Sequence, residues 1–433
     1  MVVLAAGCDP TVFGDLGDST WVVSSEAPGG VNATGFGAGL VAPALATPPD
    51  GFAVVGLARS PAAIGTINAD LTGAIDGLGA PVNLGDEFSR LLTGSAFAGS
   101  PVPVDGVAGG LVAVALPDLE FSGQIGAVSL HDAAEVALVR AGFSNPSSAG
   151  FGRDLVLLDP TGDGSSVDLV VASDTQLLLY ADVGGVTGIN MATPVSCVLA
   201  SSAVLAVEAA DLNGAAGDEL VAVIDDGGAQ IEIVVLDSAT IAAAGNGDCF
   251  EATVRDPLAR FDAFSAAPDF GFATAVGDFD GDGAEDVALS SPSTNAVFVW
   301  QDVDLANPPA SLDALPATGA SEFGASLAAG DIDGDGNDDL AVGDPGRSVE
   351  GEAAGAVTVF LGADPADTLL LHDAEPEGGQ GFGRSVVVAP FFAAGAAVRG
   401  ALVVGADDEI FSYFRTPASP ADRPDLRDPS PSE

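Results

Sequence analysis

Short apolar runs recur along the whole chain, each closed by glycine, proline, serine or aspartate. Leu155-Val156-Leu157-Leu158 is continuous rather than alternating, as expected of a strand whose sheet is covered on both faces. Leu111-Val112-Ala113-Val114-Ala115-Leu116, Leu220-Val221-Ala222-Val223 and Ala401-Leu402-Val403-Val404 are of the same kind. Such runs, bounded by turn residues, predict many short strands and an all-β fold. None reaches the 18 or more apolar residues of a membrane helix. The nearest, Val386 to Val398, is interrupted by Pro390 and Gly395.

The runs repeat in a fixed order. Phe323-Gly324 is followed by an acidic stretch from Asp331, then Leu340-Ala341-Val342, Gly343-Asp344-Pro345 and Ala356-Val357-Thr358-Val359-Phe360. Phe270-Gly271 opens the same series through Asp278, Val287-Ala288-Leu289, Ser290-Ser291-Pro292 and Ala296-Val297-Phe298-Val299-Trp300. Weaker copies begin at Phe36-Gly37, Phe88, Phe151-Gly152 and Phe382-Gly383, and another, without the Phe-Gly pair, is centred near 203. The period is about 52–67 residues, room for four short strands. A sheet of that size cannot bury both faces alone, so stacking in a ring supplies the core. Seven passes predict a seven-bladed β-propeller over residues 19–415.

Two acidic stretches carry the most specific chemistry. Asp278, Asp280, Asp282 and Asp286 occupy positions one, three, five and nine of one; Asp331, Asp333, Asp335 and Asp339 occupy the same positions of the other. Carboxylates so spaced on a glycine-bearing turn can converge on a hard cation, and Ca²⁺ takes six to eight oxygens at about 2.3–2.6 Å. An EF-hand requires a bidentate Glu at position twelve between helices; here that position is Leu289 or Val342, inside a strand-like run. The competing reading is an acidic turn held by its own backbone hydrogen bonds, which leaves four carboxylates repelling one another. The third unit has Asp159, Asp163 and Asp168, with Thr161 in place of an acid and one residue inserted before the last carboxylate. The fourth has Asp211, Asn213 and Glu219 but loses the fifth-position acid to Ala215, the pattern of a weak or vestigial site. The seventh, Pro390 to Gly395, has no acid, and the first two units lack the loop.

Composition then limits the partners. The 433-residue chain carries a formal charge of -50, and its 12 basic residues are all arginine. That surface repels nucleic acid and anionic lipid; its blandest explanation is an acidic, solvated exterior. The two histidines, in Leu130-His131-Asp132 and Leu371-His372-Asp373, lack a strained nucleophile turn beside them and are read as edge residues in turns. No enzyme is indicated by these motifs.

The Phe-Gly pair, the acidic loop and the Gly-Xaa-Pro-like step together resemble the FG-GAP repeat of integrin α-subunit propellers and of many bacterial surface proteins. The resemblance spans roughly residues 20–415 and is most specific in the fifth and sixth units. It implies calcium loops between the first two strands of certain blades, and a backbone carbonyl ligand near position seven, at Ala284 and Asn337. It also implies that one blade is completed from the other end of the chain, a role assigned to Thr20-Trp21-Val22-Val23 beside Ile410–Phe414. The function so implied is an extracytoplasmic binding or adhesion module for an envelope or extracellular protein or glycan. The alternatives are a hydrolase or lyase acting on glycan or lipid at a propeller face, and a structural surface-layer component.

Residues 1–18 are read as a signal remnant and linker. Met1-Val2-Val3-Leu4-Ala5-Ala6-Gly7-Cys8 looks like the tail of a bacterial lipoprotein signal, although a full signal needs a basic region and a longer apolar stretch. Lipidation of Cys8 would leave Cys197 and Cys249, either as a disulfide in an oxidising compartment or as two buried thiols. Residues 416–433, rich in Pro, Asp and Ser, read as a disordered tail.

Overall fold

Each unit of the repeat supplies the antiparallel body of one small sheet. The structure, a computed structural model, describes stretches of the chain between residues 21 and 415, most continuously within 150–186, 204–242, 272–301 and 321–407. Residues 1–20, 416–433 and shorter intervening segments lie outside the described residues. Cys8, Thr20, Phe36-Gly37, Phe88, Phe270-Gly271 and the acidic tail fall there.

The sixth unit shows the pattern. Ser326–Gly330, Asp339–Asp344, Ala356–Phe360 and Thr368–Leu371 pair in chain order, with Leu327 opposite Val342 and Leu340 opposite Phe360. Among the described residues there are seven such sheets of four or five strands, and one small hairpin, Ser348–Val349 with Glu352–Ala353. Their first strands are Gly39–Val41, Phe97–Gly99, Asp154–Leu158, Val204–Ala210, Thr274–Gly277, Ser326–Gly330 and Ser385–Ala393. Each packs against the next, and the last packs against the first. Small sheets set radially in a closed circuit are the arrangement of a β-propeller.

The circuit is sealed by backbone pairing. Trp21–Glu26 forms the outer strand of the last sheet, with Trp21 opposite Arg415 and Glu26 opposite Ile410. Two outer strands were not anticipated: Gly188–Ile189 runs parallel to Val139–Phe143, and Asp248–Glu251 runs parallel to Ser196–Leu199. A five-residue helix, Ser238–Ala242, was likewise not foreseen.

The core is a series of interfaces between neighbouring sheets. Leu340 and Val342 are buried in the cluster shared with the fifth sheet, whereas Ala341 between them is buried in the cluster shared with the seventh. Val221 and Val223 likewise face one neighbour while Leu220, Ala222 and Ile224 face the other. Side chains alternate across a strand, and both faces are covered, which is why these runs are apolar without a break.

The Phe-Gly pair has a physical cause. Phe151, Phe323 and Phe382 are fully buried, and each meets an aromatic of the third strand of its own sheet edge-on: Tyr180, Phe360 and Phe411. The following glycines, Gly152, Gly324 and Gly383, have φ of 86°, 90° and 84°. That left-handed turn, open to glycine, drives the ring inward before the first strand begins. His131 corrects the sequence reading: it is a buried residue within the strand Gln124–Asp132, with Nε2 2.9 Å from Ser129 Oγ. His372 does follow a strand end, with Nδ1 2.7 Å from the Asp373 carbonyl.

Candidate metal centres

All four acidic stretches lie where a first strand turns into the second. Asp278 to Asp286 joins Thr274–Gly277 to Asp286–Ser291, and Asp331 to Asp339 joins Ser326–Gly330 to Asp339–Asp344. Positive φ at Gly281, Gly283, Gly334 and Gly336 (75°, 92°, 84° and 102°) wraps each turn around its first aspartate. Asp278 Oδ1 accepts the N–H groups of Gly281 at 2.7 Å and Asp282 at 3.0 Å, and its Oδ2 accepts that of Gly283 at 2.9 Å. Asp331 accepts the corresponding N–H groups of Gly334, Asp335 and Gly336. The hydrogen-bonded acidic turn is thus formed in full.

The same turn also gathers oxygens. Asp278, Asp280 and Asp286 each offer one carboxylate oxygen, all within 4.8 Å of one another, and so do Asp331, Asp333 and Asp335. Asp282 and Asp339 are not members of these groups. Asp339 is buried, accepting the N–H of Ile332 at 2.9 Å through Oδ2 and that of Gly362 at 3.0 Å through Oδ1. Burial pushes its carboxyl up to about 7; the Gly362 N–H opposes the shift and the nearby Asp333 charge adds to it. Asp286 is also buried, with Oδ2 accepting the N–H of Phe279.

The weaker loops diverge from this pattern. Asp159 takes the Thr161 hydroxyl and the N–H groups of Gly162 and Gly164, while Asp163 accepts the Ser166 N–H. Asp168 is held from outside the loop by the Asp182 N–H at 2.8 Å. In the fourth loop, Glu219 accepts Leu212 N–H and Asn213 Nδ2, so the two side chains expected to flank a cation bond each other. Asp211 Oδ1, by contrast, is buried without a hydrogen-bond partner, a costly state for a carboxylate oxygen. These loops offer oxygen donors and, at Asp211, an orphaned one; this set fits a hard divalent cation.

Sequence reasoning passed over two groups. At position eight, Asp218, Glu285 and Asp338 bond across to the preceding sheet; their signal was an acid standing immediately before the ninth position in three loops. The second is Asp154 with Glu208, on neighbouring first strands. They line a cavity of about 590 Å³ encircled by first-strand residues of all seven sheets, among them Val41, Ala98, Ala275, Leu327 and Val387. Asp154 accepts the N–H groups of Leu155 at 2.9 Å and Val207 at 2.8 Å; Glu208 accepts the Thr274 hydroxyl at 2.7 Å. Desolvation pushes the Asp154 carboxyl up to about 7, with the Glu208 charge adding to the rise, and raises Glu208 as well.

Cys197 and Cys249 are register partners on adjacent parallel strands. Neighbouring strands lie about 4.8 Å apart, within the Cα separation of about 4.4–6.8 Å that a disulfide spans. No helix among the described residues is long and apolar enough to cross a membrane.

Residues 323–360 match the family model described as FG-GAP repeat. A stretch of 104 residues is 35% identical to Integrin alpha-PS5 of Drosophila melanogaster, covering 22% of this chain and 10% of that protein.

Proposed function

From a chain that carries an FG-GAP repeat and is integrin α-like in part of its length, we propose a non-enzymatic, extracytoplasmic binding or adhesion module. Its frame is a seven-bladed β-propeller, each described sheet being one blade. Ca²⁺ occupies the loops at Asp278–Asp286 and Asp331–Asp339, with the Ala284 and Asn337 carbonyls completing the shells, and braces the first hairpin of those two blades. The loops at Asp159–Asp168 and Asp211–Glu219 hold it more weakly. The observation that carries the metal reading is the convergence of three carboxylates in each strong loop. The surface then left for a protein or glycan partner is the face opposite the calcium turns.

The cation stabilises the fold because it binds the native turn and not the unfolded chain. Thermal melts with excess Ca²⁺ and with chelator test this. A higher midpoint in Ca²⁺, lowered by Asp278→Ala or Asp331→Ala, is the expected result; equal midpoints reject the metal reading. Binding is tested by capture from an envelope extract with the loops of the opposite face replaced in blocks, and unchanged capture rejects that face.

A second reading is favoured by the carboxyl pair in the cavity. Asp154 and Glu208, two desolvated carboxyls facing one cavity, match the requirements of a general acid and base, as in glycan hydrolysis. Turnover of a glycan substrate by the wild type, lost in Asp154→Asn and Glu208→Gln, would establish it.

A further inference from the structure

The position-eight acids form a repeated clasp between consecutive blades. Asp218 Oδ2 accepts the N–H of Asp159 at 2.7 Å, and the N–H of Asp218 donates to the Asp159 carbonyl at 3.0 Å. Glu285 Oε2 accepts the N–H of Asp211 at 2.7 Å, and the Glu285 N–H donates to the Asp211 carbonyl at 3.0 Å. Asp338 Oδ2 accepts the N–H of Asp278 at 3.0 Å, and the Asp338 N–H donates to the Asp278 carbonyl at 2.8 Å. Each clasp is a two-bond ring joining residues 59, 74 or 60 positions apart. The sixth loop passes the pattern on in reduced form, its Asp331 carbonyl accepting the N–H of Gly400 from the seventh sheet.

In every clasp the residue held is the first aspartate of the preceding loop. That residue has both of its backbone hydrogen-bonding groups committed to the next blade, while its carboxylate sits at the hub of its own turn. At Asp278 the carboxylate takes three loop N–H groups. At Asp211, with the backbone held by Glu285, Oδ1 stays buried and unpartnered. Partners that fix a ligand's orientation without touching the metal set its affinity by about 10–100-fold.

We propose that Asp218, Glu285 and Asp338 are positioning residues for the cation site of the preceding blade, linking the loops from Asp159 to Asp339 into one relay. Each loop thereby presets the ligand of its neighbour, and the bond that does so crosses the blade boundary. This rests on the calcium reading above, and its test separates the two.

The experiment is hydrogen exchange of the full-length chain, followed by mass spectrometry at the peptide covering residues 278–286, across a Ca²⁺ titration. Asp338→Ala and Asp338→Asn remove the same charge, but the asparagine keeps an acceptor for the Asp278 N–H. In the alanine variant the Ca²⁺ concentration giving half-protection of this peptide should rise roughly tenfold. In the asparagine variant it should stay near the wild-type value. Equal midpoints in the two variants, with the wild type protected by Ca²⁺, overturn the relay and leave the calcium sites standing. Absence of protection in the wild type overturns both. Should Asp338→Ala fail to fold in chelator, Glu285→Ala and Glu285→Gln, read at the Asp211–Glu219 peptide, put the same question one blade earlier.

Discussion

Asp154 and Glu208, the carboxyl pair lining the cavity, make stability depend on pH. Asp154 is half-buried on the first strand of the third sheet, and Glu208 is half-buried beside it on the fourth. Desolvation raises the Asp154 carboxyl from 3.8 to about 7, opposed by the Val207 and Leu155 N–H groups and by Arg153, and reinforced by the Glu208 charge. The folded state therefore holds a proton that the unfolded chain releases near pH 4. Stability falls wherever the folded state binds more protons than the unfolded one and pH is rising. The contribution of Asp154 is fully present below about 4, declines through the window from 4 to 7, and is gone above it. A shift of this size corresponds to about 4 kcal/mol, and solvent reaching the pair through the cavity reduces it to about 2–3 kcal/mol.

Asp154→Asn removes the titration while keeping a side chain of the same shape with an oxygen for the Val207 N–H. The variant should match the wild type, or fall slightly below it, at pH 4.5. At pH 8 it should melt about 2–4 °C higher, given the unfolding entropy of a domain near 400 residues. The assay is a pair of thermal melts at each pH between 4.5 and 8.5 at constant Ca²⁺, so that metal occupancy is compared like with like. A midpoint difference that does not change with pH would refute the reasoning, since a packing effect carries no such slope. The Glu208 charge adds to the rise at Asp154, so Glu208→Gln should narrow the same window.

Three further outcomes are expected. Phe382→Ala empties the interface where that ring meets Phe411 at 4.9 Å, and should cost about 3–5 kcal/mol in chemical denaturation. Gly324→Ala places a Cβ 2.8 Å from that of Ser290 at φ 90°, whereas Gly283→Ala, at φ 92°, meets nothing within 4 Å. The second should lose only the left-handed backbone cost of about 1–2 kcal/mol and the first clearly more; equal losses would deny the packing role of the Phe-Gly turn. Cys197 and Cys249, if bonded in an oxidising compartment, should yield a disulfide-linked peptide in a non-reducing digest and about 4 kcal/mol of reducible stability.

Much of this architecture was legible because it repeats. The apolar runs became strands in every unit where the structure describes them, and the Phe-Gly pairs at 151, 323 and 382 became buried rings followed by left-handed turns. Local signals of that kind require only a period and a turn chemistry. The two parallel outer strands were not legible: Asp248–Glu251 reaches back to the edge of the third sheet after the chain has already built most of the fourth. Nothing within four residues specifies such a partner. His131 was misread for a related reason, since its burial comes from the neighbouring strands and not from its Leu-His-Asp setting.

The acidic loops divide along the same line. The acids at positions one, three and five were readable because they bond within their own turn, and a turn is local. Position eight was not, because its meaning depends on which loop stands beside it in space. Glu285 looks like one more surface acid until Asp211, 74 residues earlier, is placed against it. Once the sheets are set side by side, the repeated acid acquires a partner at each of three boundaries, and the ninth-position acid beside it keeps its place in its own turn. Adjacent acids in this loop thus serve different masters: one closes a turn within a blade and the other joins two blades. A metal in one loop would then be felt in the next through a backbone bond and not through the distant charge, which is why the asparagine and alanine variants at position 338 must differ if the blades are coupled this way.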